Sequence, residues 1–241
     1  MGEEIFMRNT RISASNNTIR LQKMILAALF AALAFSTLFF VRIPVAFLTF
    51  DLKDVFITFG AMLLGPIYGL AIALIVASVE MVTVSSGSGP YGLLMNFVSS
   101  GAFAFTAALI YKYYKTLLGA AIGLGFATIL TTAIMMGMNM LIVPLFMEGV
   151  TRARVQTMIV PLLLPFNFAK YTASAATVMM IYKPLSVALL KAKVLPAASS
   201  DNAQNYKFNR KSVIIIGISV TILIAALLIL FIHLDGRVEI F

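Results

Sequence analysis

Cysteine and tryptophan are absent from this 241-residue chain, and histidine occurs once, as His233. Without cysteine there is no disulfide, no thiolate nucleophile and no cysteine-ligated metal. One histidine at the end of the last apolar run leaves no His-based metal or catalytic constellation. Charge is scarce as well: 11% of residues are charged and 61% hydrophobic, with mean hydropathy +1.00. A soluble domain carries about 25% charged and ~45–50% apolar residues, so the composition points to an all-α integral membrane protein. Paired carboxylates, a Ser/His/Asp set and a Gly-x-x-x-x-Gly-Lys-Ser/Thr phosphate loop are also missing. Neither an enzyme nor ATP hydrolysis by that route is therefore expected, and no cofactor or metal site is read from the chain.

What is present is a series of uncharged runs long enough to cross a bilayer. The first, Met24–Val41, follows the basic residues Arg8, Arg11, Arg20 and Lys23. Bulky Phe39-Phe40-Val41 stands where a signal peptide would carry small residues, so the run reads as a retained span. The stretch Val55–Val79 contains Gly65-Pro66 and is either one kinked span or a hairpin of two short helices. Charge placement separates the two. With the N-terminus cytoplasmic, the hairpin puts twelve Lys/Arg inside and five outside, Lys170 remaining within the membrane. A single span gives seven inside and ten outside, so the positive-inside rule favours the hairpin. The net charge of +9 then belongs to cytoplasmic loops rather than to a nucleic-acid surface.

The expected organisation is a cytoplasmic segment at 1–23, a six-helix membrane domain at 24–193, a polar cytoplasmic linker at 194–211, a seventh transmembrane helix at 212–234 and a short outer tail at 235–241. The last span is almost wholly Ile, Leu, Val and Ala. Lacking a polar face, it reads as a lipid-surrounded anchor.

Polar residues within these runs mark the candidate site, because a charge at membrane depth costs about 2.5–3.5 kcal/mol unless it faces a partner or a wet cavity. Asn167 and Lys170 lie in Pro-Phe-Asn-Phe-Ala-Lys. Pro161 and Pro165 delay the helix start, so both residues are expected on one face of its opening turns, reinforced by the helix dipole. With Asn139, they suit a heterocycle displaying C=O, N–H and C=O, although hydrogen bonding between helices is the alternative for Asn139. Asp54 reads as a solvated turn residue or a helix cap, Asp54 and Asn96 also being candidate ligand contacts, and Glu80 as interfacial first and ligand-contacting second. Phe47, Phe50, Tyr91, Phe166 and Phe168 lie near the same mouth and are candidates to sandwich a flat ring. The loop Ser85–Gly92 is a glycine-rich turn. Ala27, Ala28, Ala31 and Ala32 form two overlapping small-x-x-x-small pairs, for partner contact or for internal packing. Arg152 and Arg154 in the third outer loop are candidate contacts for a phosphate, or ordinary solvated charges.

The segments Phe47–Asp54, Leu64–Gly69, Asn96, Met138-Asn139-Met140 before Pro144, and Leu164–Lys170 followed by Ile181-Tyr-Lys183 resemble the S components of energy-coupling factor (ECF) vitamin transporters, within them the riboflavin-specific subunit. The resemblance covers Ile25–Leu190. It implies a six-helix bundle that binds riboflavin at Asn139, Asn167 and Lys170, with the first loop covering the site. It also implies partners in a bacterial cell membrane, namely a transmembrane coupling subunit and two ATPases, docked through the small residues of the first helix. FMN is a further candidate ligand. Thiamine, biotin or pantothenate S components, and a membrane scaffold, stand as alternatives. Leu52-Lys53 departs from the expected small polar residue before Asp54, and Pro196–Phe241 falls outside the family pattern.

Overall fold

A computed structural model describes residues 2–191 and 210–233. Most of the expected linker and the outer tail lie outside these residues. Helix α1 runs over Gly2–Thr37 and leads into a hairpin of β1 (Arg42–Val45) and β2 (Leu48–Asp51). The strands are antiparallel, pairing Arg42 with Asp51 and Val45 with Leu48. Then follow α2 (Lys53–Leu64), α3 (Pro66–Val82), α4 (Gly89–Tyr113), α5 (Leu117–Phe146), α6 (Arg152–Met158), α7 (Leu164–Lys191) and α8 (Arg210–His233). Among the described residues, four helical stretches are long and apolar enough to cross a membrane: Asn17–Thr37, Gly89–Tyr113, Leu117–Phe146 and Arg152–Leu189. This is an all-α membrane bundle apart from the one hairpin.

The ambiguous stretch is two helices. Gly65 joins them at φ +114°, a conformation open to glycine, and Pro66 opens α3 where a missing N–H costs nothing. The pair packs closely through Gly69, where an added Cβ would collide with Ala61. The main core gathers Leu26 and Phe30 of α1, Ile57 and Phe59 of α2, Ile72 of α3, Phe103 of α4, Leu124 of α5 and Tyr171 of α7.

Three expectations need correction. Pro161 and Pro165 do not set a helix start. The helix begins at Arg152, with Thr151 Oγ1 accepting from the Arg154 N–H, and continues through a π-helical turn at Ile159–Leu163 into α7. The wider turn accommodates the ring of Pro161, which lacks an N–H and would crowd the preceding carbonyl of a regular helix. Asn167 and Lys170 therefore lie inside a continuous helical rod, away from a free N-terminus and its dipole. Second, the glycine-rich turn is shorter than Ser85–Gly92: after a 3₁₀ turn at Ser86–Ser88, α4 already starts at Gly89. Third, α8 is not surrounded by lipid. It packs along α7, burying Ser219 and Ala226, and Leu223 joins the apolar cluster of Val45, Phe50, Leu162, Phe166, Ala169 and Ala173. A uniformly apolar helix gives no compositional mark of the stripe it buries.

Candidate functional site

The hairpin closes one end of the bundle, and beneath it lies a cavity of about 140 Å³. Phe47, Leu48 and Thr49 of the hairpin, Glu80 of α3, Asn96 and Ser99 of α4, Phe146 of α5, and Phe166, Asn167, Lys170 and Tyr171 of α7 contribute to its wall. Asn167 donates one amide proton to the Leu163 carbonyl at 2.8 Å. Its second amide proton and its carbonyl oxygen stay available to the cavity. Lys170 is not a free cation. Its Nζ donates to Asp51 Oδ2 at 2.9 Å and to the Thr49 carbonyl at 3.3 Å, which leaves one of three donors. These two bonds tie α7 to the hairpin.

A second ion pair stands beside the first. Lys53 Nζ lies 2.6 Å from Glu80 Oε2, 3.0 Å from Asn96 Oδ1 and 3.6 Å from Asp51 Oδ2. Glu80 is thus buried against an ammonium rather than interfacial, and its other oxygen accepts from Ser85 Oγ at 3.1 Å. Ser85 in turn accepts from Arg42 Nη2 at 3.2 Å. Burial alone would push the Asp51 carboxyl up, but the Lys170 and Lys53 ammoniums together hold it below the usual carboxylate range.

Asp54 is neither a solvated turn residue nor a cap. It is fully buried in the first turn of α2, where its Oδ1 accepts from Ser100 Oγ at 2.5 Å and its Oδ2 has no partner. The Lys53 N–H is met instead by Asp51 Oδ1 at 3.3 Å.

Of the residues singled out by sequence, Phe47, Glu80, Asn96, Phe166, Asn167 and Lys170 line the cavity; Asn139, Asp54, Phe50, Tyr91 and Phe168 do not. Asn139 sits one turn beyond Met135, a lining residue whose carbonyl takes the Asn139 amide proton at 2.7 Å, and its own Oδ1 is a buried acceptor without a partner. Tyr91 stacks on Phe146 from outside, the ring centroids 6.2 Å apart. Phe50 belongs to the apolar cluster under the hairpin. Arg152 and Arg154 are exposed in the first turn of α6. In α1, Ala27 and Ala31 face the core, whereas Ala28 and Ala32 remain on the outer surface.

Sequence reasoning missed Ser99, Tyr171 and the structural weight of Lys53. The hydroxyls of Ser99 and Tyr171 pair at 2.8 Å, and the Tyr171 ring stacks on Phe103 at 5.3 Å. Only the position of Tyr171 next to Lys170 hinted at it. For Lys53 the signal was Glu80, a lone acid at membrane depth that required a cation.

A riboflavin transporter of Staphylococcus aureus (strain TCH60), RibU, is 27% identical over 174 residues, covering 68% of this chain and 90% of the relative. The riboflavin transporter FmnP of Bacillus subtilis (strain 168) is 25% identical over 163 residues, covering 63% and 85%. A solved structure described as "Structure and mechanism of the S component of a bacterial ECF transporter" superposes with a TM-score of 0.60 at 27% identity, over 70% of this chain and 98% of that one. The family described as "ECF transporter, substrate-specific component" matches residues 22–182, α1 through most of α7. The chain therefore belongs to the substrate-specific components of ECF transporters, as a multi-pass membrane protein.

Proposed function

We propose that this chain is the riboflavin-binding subunit of an ECF-type vitamin importer. The observation that carries the reading is the pairing of Asn167 and Lys170 on one cavity wall, each with uncommitted hydrogen-bonding capacity, beside Phe47, Phe166 and Tyr171. A flat ring with carbonyl and imide edges uses such donors and acceptors, and the open Asn139 acceptor near Met135 suits an imide N–H. Ligand pockets hold about 300–1,000 Å³, so the 140 Å³ cavity has to widen to take a tricyclic ring. A tricyclic ring enters when Phe47 and Leu48 of the hairpin move outward. Purified from flavin-containing membranes, the protein is expected to be yellow and to quench riboflavin fluorescence on titration. Colourless protein without quenching would sink the reading. The cationic residues Arg42, Arg152 and Arg154 at this end extend it to FMN, whose phosphate would project towards the mouth. In the same titration FMN is expected to displace riboflavin; failure at about a thousandfold excess, an affinity gap above ~4 kcal/mol, restricts the site to the free vitamin.

Uptake would require the family's coupling subunit and two ATPases, since the sequence carries no Gly-x-x-x-x-Gly-Lys-Ser/Thr phosphate loop. The outer Ala28/Ala32 pair, flanked by exposed Ile25, Leu29 and Leu33, offers the small-residue face for close helix approach. Ala28→Leu/Ala32→Leu is expected to leave riboflavin affinity within about twofold, because neither residue touches the cavity, while ATP-driven uptake with the partners is lost. Uptake at the parental rate would confine α1 to a structural role. Ala27→Leu/Ala31→Leu should behave differently, destabilising the bundle by about 1–3 kcal/mol through overpacking.

A further inference from the structure

The end of the bundle remote from the hairpin carries a second cavity, of about 450 Å³, around the Gly65-Pro66 turn. Lys23 of α1, Lys112 in the last turn of α4 and Lys115 in the α4–α5 connection line it, and no carboxylate does. Lys23 and Lys112 form no ion pair among the described residues. Lys23 Nζ lies 5.9 Å from the centre of the Tyr68 ring, which holds the ammonium at the cavity wall. Beside them the wall combines the apolar side chains of Met62, Leu63, Ile67 and Ala108 with the tyrosines Tyr68 and Tyr111.

The surroundings are those of a bilayer interface. Leu21, Met24, Ile25 and Ile67 are exposed beside the lysines, and Tyr113 and Tyr114 project at 74% and 67% exposure. Tyrosines gather at headgroup level, where an apolar ring and a wet hydroxyl are both accommodated. A cationic rim over an apolar floor, opening among lipid-facing side chains, matches an amphiphile that carries a phosphate. A soluble anion would leave the apolar wall unused.

We propose that this cavity is a binding site for an anionic phospholipid of the surrounding membrane, its headgroup phosphate held by Lys23 and Lys112, with Lys115 at the rim. Basic pockets between transmembrane helices on the cytoplasmic side recognise such headgroups. The site contacts α1, the α2–α3 turn and α4 at once, so an occupant would brace that turn against its neighbours. It is independent of the ligand cavity, sharing no residue with it.

Native mass spectrometry of the detergent-purified full chain, with dioleoyl phosphatidylglycerol or dioleoyl phosphatidylcholine added, tests this. Phosphatidylglycerol is expected to be retained at least about tenfold better than phosphatidylcholine, since each lysine near an anionic surface adds appreciable attraction. Lys23→Gln/Lys112→Gln/Lys115→Gln should abolish the preference, with helical circular dichroism unchanged. Arg152→Gln/Arg154→Gln, which removes charge from the opposite end, should keep it. Equal retention of the two lipids, parental retention by the triple variant, or equal loss in both variants would overturn the proposal. So would displacement of the lipid by millimolar glycerol phosphate, which would assign the cavity to a soluble anion.

Discussion

Lys170→Met is expected to reduce riboflavin affinity at least tenfold, the largest effect of any single change at the cavity. The variant loses the one ammonium proton free for the ligand, and a hydrogen bond to a charged group contributes about 1.5–3 kcal/mol. It also leaves the buried Asp51 carboxylate with Lys53 at 3.6 Å as its remaining cation. Removing one partner of a buried pair destabilises by about 3–5 kcal/mol, so binding and folding would fall together. Asp51→Asn/Lys170→Met separates them. The double variant removes the orphaned Asp51 charge and should regain most of the lost thermal stability while still binding weakly. Quenching titration and melting in detergent on all four members of the cycle measure the coupling. Parental affinity in the double variant would show that Lys170 holds the hairpin and does not meet the ligand. Asn139→Ala should cost less, about 0.5–1.5 kcal/mol for a neutral hydrogen bond.

Lys53→Met is expected to be the most destabilising substitution at this end of the bundle. Lys53 and Glu80 approach to 2.6 Å with both side chains almost wholly buried, and Asn96 completes the ammonium's shell. Methionine fills a similar volume but leaves Glu80 without its cation, again about 3–5 kcal/mol. The melting midpoint should fall by on the order of 10 °C. Lys53→Met/Glu80→Leu removes both charges and should recover most of that loss, because an apolar pair of similar size is often neutral in place of a buried ion pair. A melting curve unchanged in the single variant would mean that the pair contributes nothing to stability.

Features that the bilayer itself enforces were legible in the sequence. The α2–α3 hairpin emerged from counting Lys and Arg on each side of Gly65-Pro66, since topology follows loop charge. Asn167 and Lys170 stood out because a polar side chain in an apolar run requires a partner or a cavity. Properties decided by distant contacts were not legible. The partner of Lys170 is Asp51, and that of Lys53 is Glu80, 27 residues further along the chain. Pro161 read as a boundary because sequence does not announce a π-helical turn that absorbs it. The alanines of α1 showed that helices can pack closely there, but not that Ala27 and Ala31 face inwards while Ala28 and Ala32 face out. In α8 the contacts with α7 depend on small residues, Ser219 and Ala226, scattered in a run with no amphipathic rhythm.

The interlocked ion pairs under the hairpin also bear on membrane voltage. Asp51, Asp54 and Glu80 set three carboxylates against the ammoniums of Lys53 and Lys170, a sum of −1 when all five are ionised. An elementary charge crossing the whole transmembrane field exchanges about 2.3 kcal/mol per 100 mV. The two lysines alone would amount to about 4.6 kcal/mol per 100 mV by the same measure. Any movement of the site along the membrane normal would carry the carboxylates with the lysines, and would so do at most half that electrical work.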